Sequence, residues 1–328
     1  MRNLGAYLVV IAGLMSPSIV YAQTASQSGQ PVDHKGQIPP ICQGEGRFNC
    51  ASPSVKGQAV DAEPGAGGDA WGRTPARQAQ ASKPGPAPRH DISGIWRQNG
   101  IDEFGYRGSG IFGAGAMPSD GWPDHEPPYT KEGLAAYHEH KPVFGKDAVA
   151  PAQTNDPVKG CDPQGFPRDD LHGGGPAQIL QTPVQVIILY GGQYKDWRVI
   201  WADGRALPKD PDPTWTGYST GKWVDDTTFI VETNGTDDRT WLDNAGRPHS
   251  DELRVEERVH RVDSDTLEWT VIINDPKYYT KPWVALNKQP FKLQPADSST
   301  GEGRCAPSEM ALYDSLVSDP ANPDAKKK

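Results

Sequence analysis

Beyond Gln23 the chain has no apolar run approaching the roughly 20 residues that a membrane-spanning helix needs, which argues against stable membrane insertion. Basic residues are outnumbered, with 33 Lys and Arg against 42 Asp and Glu for a net charge of -9, and the only basic cluster is the terminal Lys326-Lys327-Lys328. Phosphate backbones are held by clustered cations, so nucleic acid and other polyanions are poor candidates for partners. No His-Glu-x-x-His and no Cys-x-x-Cys occurs, and His138 and His140, two apart in a helical stretch, point away from each other. His172 in Leu-His-Gly-Gly-Gly-Pro stands alone, so no metal or other cofactor is expected. The chain also lacks an internal repeat of fixed period.

What is present begins with an Arg at position 2, an apolar run from Ala6 to Leu14 and small residues ending in Tyr21-Ala22-Gln23. That order is the pattern of a secretory signal peptide over residues 1–22, and it predicts a periplasmic or secreted protein. No Cys follows the apolar run to carry a lipid anchor. Residues 23–89 are dominated by Gln, Ser, Pro, Gly and Ala, which bury too little apolar surface to offset chain entropy, so this stretch is expected to be disordered. A single β domain is expected over 90–312, followed by a tail over 313–328. Four cysteines in an exported chain are expected to pair. Cys42 with Cys50 and Cys161 with Cys305 is the favoured arrangement, the second closing a long loop around the β region.

Within that domain, segments rich in Val, Ile, Thr and Trp alternate with Asp, Gly, Asn and Ser clusters, as in consecutive antiparallel strands. The pattern predicts a mainly β meander, closed as a barrel or, as the alternative, stacked as a β-sandwich. Thr130 followed by Lys-Glu-Gly-Leu-Ala-Ala-Tyr predicts a short helix ending before Pro142, and a second is expected near 307–317. The loop 155–176 is too long for a connector and is therefore a functional candidate. Thr182-Pro183 and Gly191-Gly192 read as breaks between strands, the second as a two-residue hairpin turn.

The clearest hairpin joins Leu253–Val262 to Leu267–Ile273. A four-residue loop, Asp263 to Thr266, sets Val262 opposite Leu267 and places Glu256, Arg258 and His260 on the face of Trp269, Val271 and Ile273. Taken as the interior, that face buries Arg258 and Glu256, which then need each other or a polar ligand. An ordinary ion pair near the rim is the competing account.

The densest chemical group is the loop from Thr240 to Ser250, with an aromatic platform, Trp241, a carboxylate, Asp243, and an imidazole, His249. Asp243 orienting His249 for proton transfer, with Arg258 holding an anionic or carbonyl oxygen, makes these three the candidate catalytic residues. A turn-capping Asp and a surface His is the plainer alternative. A triad using Ser250 is set aside, because adjacent Ser and His on an extended segment point apart and the chain is read as having no nucleophile-elbow pattern. Trp241, Trp269, Trp201, Tyr190, Glu256 and Tyr279 are the candidate ligand contacts, suited to an aromatic or glycosidic small molecule.

Five blocks, NDPVKGCDPQGFPR, WADGRALPKDPDPTWTGYSTGKW, TDDRTWLDNAGRPHS, LRVEERVHRVDSDTLEWTV and DPKYYTKPW, resemble those of a large group of secreted bacterial proteins of unassigned function. That resemblance covers most of 155–283 and implies export but no activity. Gly94-Ile95-Trp96 resembles the Gly-x-Trp opening of lipocalin-like barrels, although the Thr-Asp-Tyr that typically follows is missing. It implies a lipocalin-like barrel that binds a small molecule inside. An acid/base enzyme without a cofactor, acting as a lyase, isomerase or hydrolase, is the alternative, and a protein-interaction module the third reading.

Overall fold

The computed structural model describes residues 83–98, 126–172, 176–191, 196–301 and 303–322. The expected signal peptide, the Cys42–Cys50 pair and most of the expected disordered stretch lie outside these residues.

Nine strands form one closed barrel in chain order: β1 (Gly94–Gln98), β2 (Ala177–Gln181), β3 (Gln185–Leu189), β4 (Trp197–Trp201), β5 (Tyr218–Trp223), β6 (Thr228–Asn234), β7 (Arg254–Arg261), β8 (Thr266–Asn274) and β9 (Trp283–Leu293). The barrel, rather than the sandwich, is what this chain builds. A ring with an odd number of strands cannot alternate direction all the way round. The parallel pair is β4–β5, joined by the long connection 202–217, and every other neighbour is antiparallel, including the closing pair β1–β9.

Alternation along the strands fills the interior with Ile179, Val186, Ile188, Ile200, Phe229, Val231, Val255, Val259, Leu267, Trp269, Val271 and Ile273, all buried. Each apolar side chain of this size adds about 1.5–3 kcal/mol when it leaves water. At one end, Trp96 is fully buried, donates from its indole to the Ile92 carbonyl at 2.9 Å and carries the Arg261 guanidinium 4.5 Å above its ring.

The opposite end is closed by chain from outside the barrel. Helix α1 (Lys131–Glu139) is capped by Thr130, whose hydroxyl accepts from the Gly133 amide, as the sequence predicts. A Cβ on Gly133 would lie 2.1 Å from the Tyr278 carbonyl, so only glycine lets α1 lie directly on the β8–β9 loop. The long loop 155–172 is ordered. Its residues from Gln164 to Leu171 are all buried and form a plug around the short helix α2 (Arg168–His172). Gly165 takes a positive φ of 75° with Thr240 against it, a conformation a larger side chain would strain. Cys161 is bonded to Cys305, fixing the plug to the chain just before helix α3 (Pro307–Tyr313), and Lys159 pairs with Asp314 at 2.8 Å beyond it. The helical stretch continues to α4 (Asp319–Ala321).

Two local readings are corrected. Gly191-Gly192 is not a two-residue turn: the Tyr190 amide donates to the Asp196 carbonyl at 3.0 Å, so the β3–β4 loop is longer. The β7–β8 hairpin is one residue shorter in its loop than expected. The Val262 amide donates to the Thr266 carbonyl, leaving Asp263-Ser264-Asp265 as the turn, and the Asp263 carboxylate accepts from the Asp265 amide at 2.9 Å to tighten it. Arg261, not Val262, therefore lies opposite Leu267.

Candidate functional site

That one-residue shift reverses the face of β7. Val255, Glu257, Val259 and Arg261 point inward with Trp269, while Glu256, Arg258 and His260 point outward. Arg258 is 54% exposed and bonds Glu256 at 2.7 Å, so the expected inward Arg258 is instead half of an ion pair on the outer wall. On β7 the parity of Val255 and Val259 was the local signal for the correct face.

The loop 240–250 is buried almost throughout, beneath α1 and over the barrel end. His249 is buried, not on the surface. Its Nδ1 lies 3.1 Å from the Ser250 carbonyl and its Nε2 lies 2.8 Å from the Thr240 hydroxyl. A carbonyl only accepts, so Nδ1 carries the proton. Burial lowers the pKa of the ring, and the Thr240 hydroxyl beside Nε2 also donates to the Asp237 carbonyl at 2.9 Å. Asp243 turns to Arg247, bonding its guanidinium at 2.9 Å and accepting from the Ala245 and Arg247 amides. It caps this turn in the way the plainer reading supposed. Trp241 stacks on His140 with ring centroids 4.5 Å apart and lies under Arg168 at 5.6 Å. Arg168 makes a two-pronged bond to Asp156 at 2.9 and 2.6 Å and reaches Asn244. Ser250 is held by Asp275 through its amide and hydroxyl.

Among the remaining candidates, Tyr279 is buried with its hydroxyl donating to the Pro248 carbonyl at 2.6 Å. Trp201 is on the outer wall with Arg205 stacked 3.5 Å from its ring. Glu256 lines an open groove of about 350 Å³ at the end of β6–β8, together with Leu207, Glu232, Arg254, Ile272 and Pro282. Tyr190 and Trp269 alone of the expected contacts meet inside the barrel.

They meet through residues that sequence reasoning did not nominate. Arg198, on β4, is buried completely. One of its terminal nitrogens bonds Glu257 at 2.5 Å, the other reaches Asp170 at 3.4 Å, and the Phe166 ring of the plug stacks on it at 3.9 Å. Tyr190 donates its hydroxyl to Asp170 at 2.7 Å, and the Trp269 indole donates to Glu257 at 3.2 Å. Beside them Asp169 is 2% exposed and neither of its carboxyl oxygens has a hydrogen-bond partner; the same holds for Nε of Arg198. Burial, followed by the charges of Asp196 and Asp170, raises the Asp169 pKa well above the carboxylate range. Burial also raises that of Glu257, against the pull of Arg198. Arg198 shares parity with Ile200 in Trp-Arg-Val-Ile-Trp, which was the signal that could have turned it inward.

The expected absence of a nucleophile-elbow pattern is corrected: Gly217-Tyr218-Ser219-Thr220-Gly221 has that spacing, but Ser219 is buried within β5 and shares a hydrogen bond with the Thr233 hydroxyl at 2.8 Å. A strand leading to another strand offers no elbow. Among the described residues, no group of three or more His, Cys, Asp or Glu is arranged to hold a metal ion.

The chain is thus a nine-stranded mixed β-barrel with a charged interior end under a buried plug. No family model, no curated protein and no solved structure matches it.

Proposed function

We propose that this protein is an exported small-molecule-binding barrel whose recognition site is the charged interior end formed by Arg198, Glu257, Asp170, Asp169, Tyr190 and Trp269. The observation that carries the reading is that Arg198 and Asp169, both withdrawn from water, keep a donor and two acceptor oxygens without partners. Buried polar groups are nearly always satisfied, so an unsatisfied pair beside aromatic rings calls for a partner that a polar ligand would supply. A barrel held together by packing alone has no use for such groups. Export rests on the N-terminal pattern and the resemblance to secreted proteins, and is supported by the Cys161–Cys305 bond, which persists in an oxidising compartment.

The acid/base enzyme reading loses its imidazole, because both ring nitrogens of His249 are engaged and Asp243 is held by Arg247. A second binding reading is favoured by one observation, the open groove of about 350 Å³ beside Glu232 and Glu256. The two are separated by thermal-shift screening against small polar compounds. A compound that stabilises the wild type and Glu232→Gln but not Tyr190→Phe supports the interior site. One that loses its effect only with Glu232→Gln moves the site to the outer groove and sinks the proposal.

A further inference from the structure

The interior end holds more negative than positive groups. Asp170 and Glu257 bond the guanidinium of Arg198, and the buried Asp169, next to Asp170 in α2, feels the charges of Asp196, Asp170, Arg168 and Arg198. Arg168 acts on Asp169 as well, yet its guanidinium is already bonded bidentately to Asp156 and also to Asn244. Arg198 in turn holds Glu257 and Asp170 with its two terminal nitrogens. Of these acids Asp169 alone has no bond to either oxygen, although it is as deeply buried as the rest. A buried carboxyl in that position lacks a donor, and the surplus of carboxylates lacks a cation.

Resting on the reading of this end as the binding site, we propose that its ligand is a small molecule bearing a protonated amine, with the Asp169 carboxylate as acceptor and Asp170 as the neighbouring countercharge. An ammonium donates up to three hydrogen bonds and accepts none, matching acceptor-only oxygens. Phe166, Tyr190 and Trp269 supply rings for the rest of the molecule, and aromatic faces favour a cation. The unpartnered Nε of Arg198 adds one donor for a hydroxyl or carbonyl next to the amine. An anionic ligand would meet three carboxylates and is disfavoured. Burial raises the Asp169 pKa, so an ammonium competes with a proton for the same oxygens, and any proton it displaces is released to solvent.

The test compares benzylammonium, benzyl alcohol and benzoate, which share a ring and differ in head group, by calorimetric titration of the full-length protein at pH 7 in two buffers of different ionisation enthalpy. Benzylammonium is expected to bind tightest, with a heat that depends on the buffer, and Asp169→Asn is expected to weaken it by about 30-fold or more. Equal or tighter binding of benzyl alcohol or benzoate, blocked by Tyr190→Phe, overturns the amine while leaving the interior site standing. Benzylammonium binding that Glu232→Gln abolishes and Asp169→Asn leaves intact overturns the interior assignment. No binding by any of the three overturns both. Should Asp169→Asn fail to fold, the head-group ranking and the proton release in the wild type decide the matter.

Discussion

Glu257, and not its neighbour Glu256, points into the barrel and meets Arg198 at 2.5 Å. The two carboxylates are adjacent in the chain yet occupy opposite physical regimes. Glu257 is fully buried with its charge tied to a guanidinium and an indole, and Glu256 pairs in solvent with Arg258.

Removing one partner of the buried pair leaves a charge without compensation. Arg198→Met is therefore expected to lower stability by about 3–5 kcal/mol, with Arg198→Met/Glu257→Gln recovering part of the loss. Urea unfolding of the single and double variants measures this, and additive losses would show that the two residues do not interact.

On the outer wall the expectation reverses. Arg258→Leu removes an exposed ion pair and is expected to change stability by less than about 1 kcal/mol. A loss as large as that of Arg198→Met would place Arg258 inside and restore the register in which Val262 faces Leu267.

Asp169 is an acid whose pKa is raised by folding, so the folded protein holds more protons than the unfolded chain between the ordinary value of 3.8 and its own. Its contribution to stability falls as pH rises through that window. Asp169→Asn is expected to match the wild type near pH 4 and to exceed it at neutral pH, by a margin on the order of 1–3 kcal/mol, the cost of an unsatisfied buried group. Melting temperatures of both proteins across that range check it, and a margin that shrinks with rising pH contradicts it.

His249 shifts the other way. Its folded pKa lies below the ordinary 6.5, so its share of stability is complete above 6.5 and is lost as pH falls toward the folded value. His140 carries the same sign, lowered by burial against the upward pull of its hydrogen bond to the Gly246 carbonyl. His249→Asn is expected to flatten the decline in stability between pH 6.5 and acid, as read by chemical unfolding at several pH values. An undiminished slope would show that His249 is already charged in the fold.

The Cys161–Cys305 bond closes a separation of 144 residues. In the chain-entropy account its removal by Cys161→Ser with Cys305→Ser costs about 5 kcal/mol. Because the bond anchors the plug, the variant is also expected to exchange amide hydrogens faster in 163–172 than in β6–β8. Protection lost equally everywhere would show that the plug is held by its other contacts.

The mainly β architecture, the α1 helix with its Thr130 cap, and the order of the loop 155–172 were legible in the sequence because they rest on local chemistry. Strand alternation, a capping hydroxyl and a loop too long for a connector are written within a few residues. The choice of barrel over sandwich, and the anchoring of the plug by its disulfide, required contacts between segments more than a hundred residues apart. The charged site required contacts across 28 and 59 residues, still beyond any local pattern. Hydrophobic counting sent the wrong face of β7 inward, because Glu257 and Arg261 look like surface residues until Arg198 and Trp96 arrive from distant strands to satisfy them. Alternation says that every second residue shares a face. Which charges that face can tolerate is decided by partners that only the closed barrel brings together.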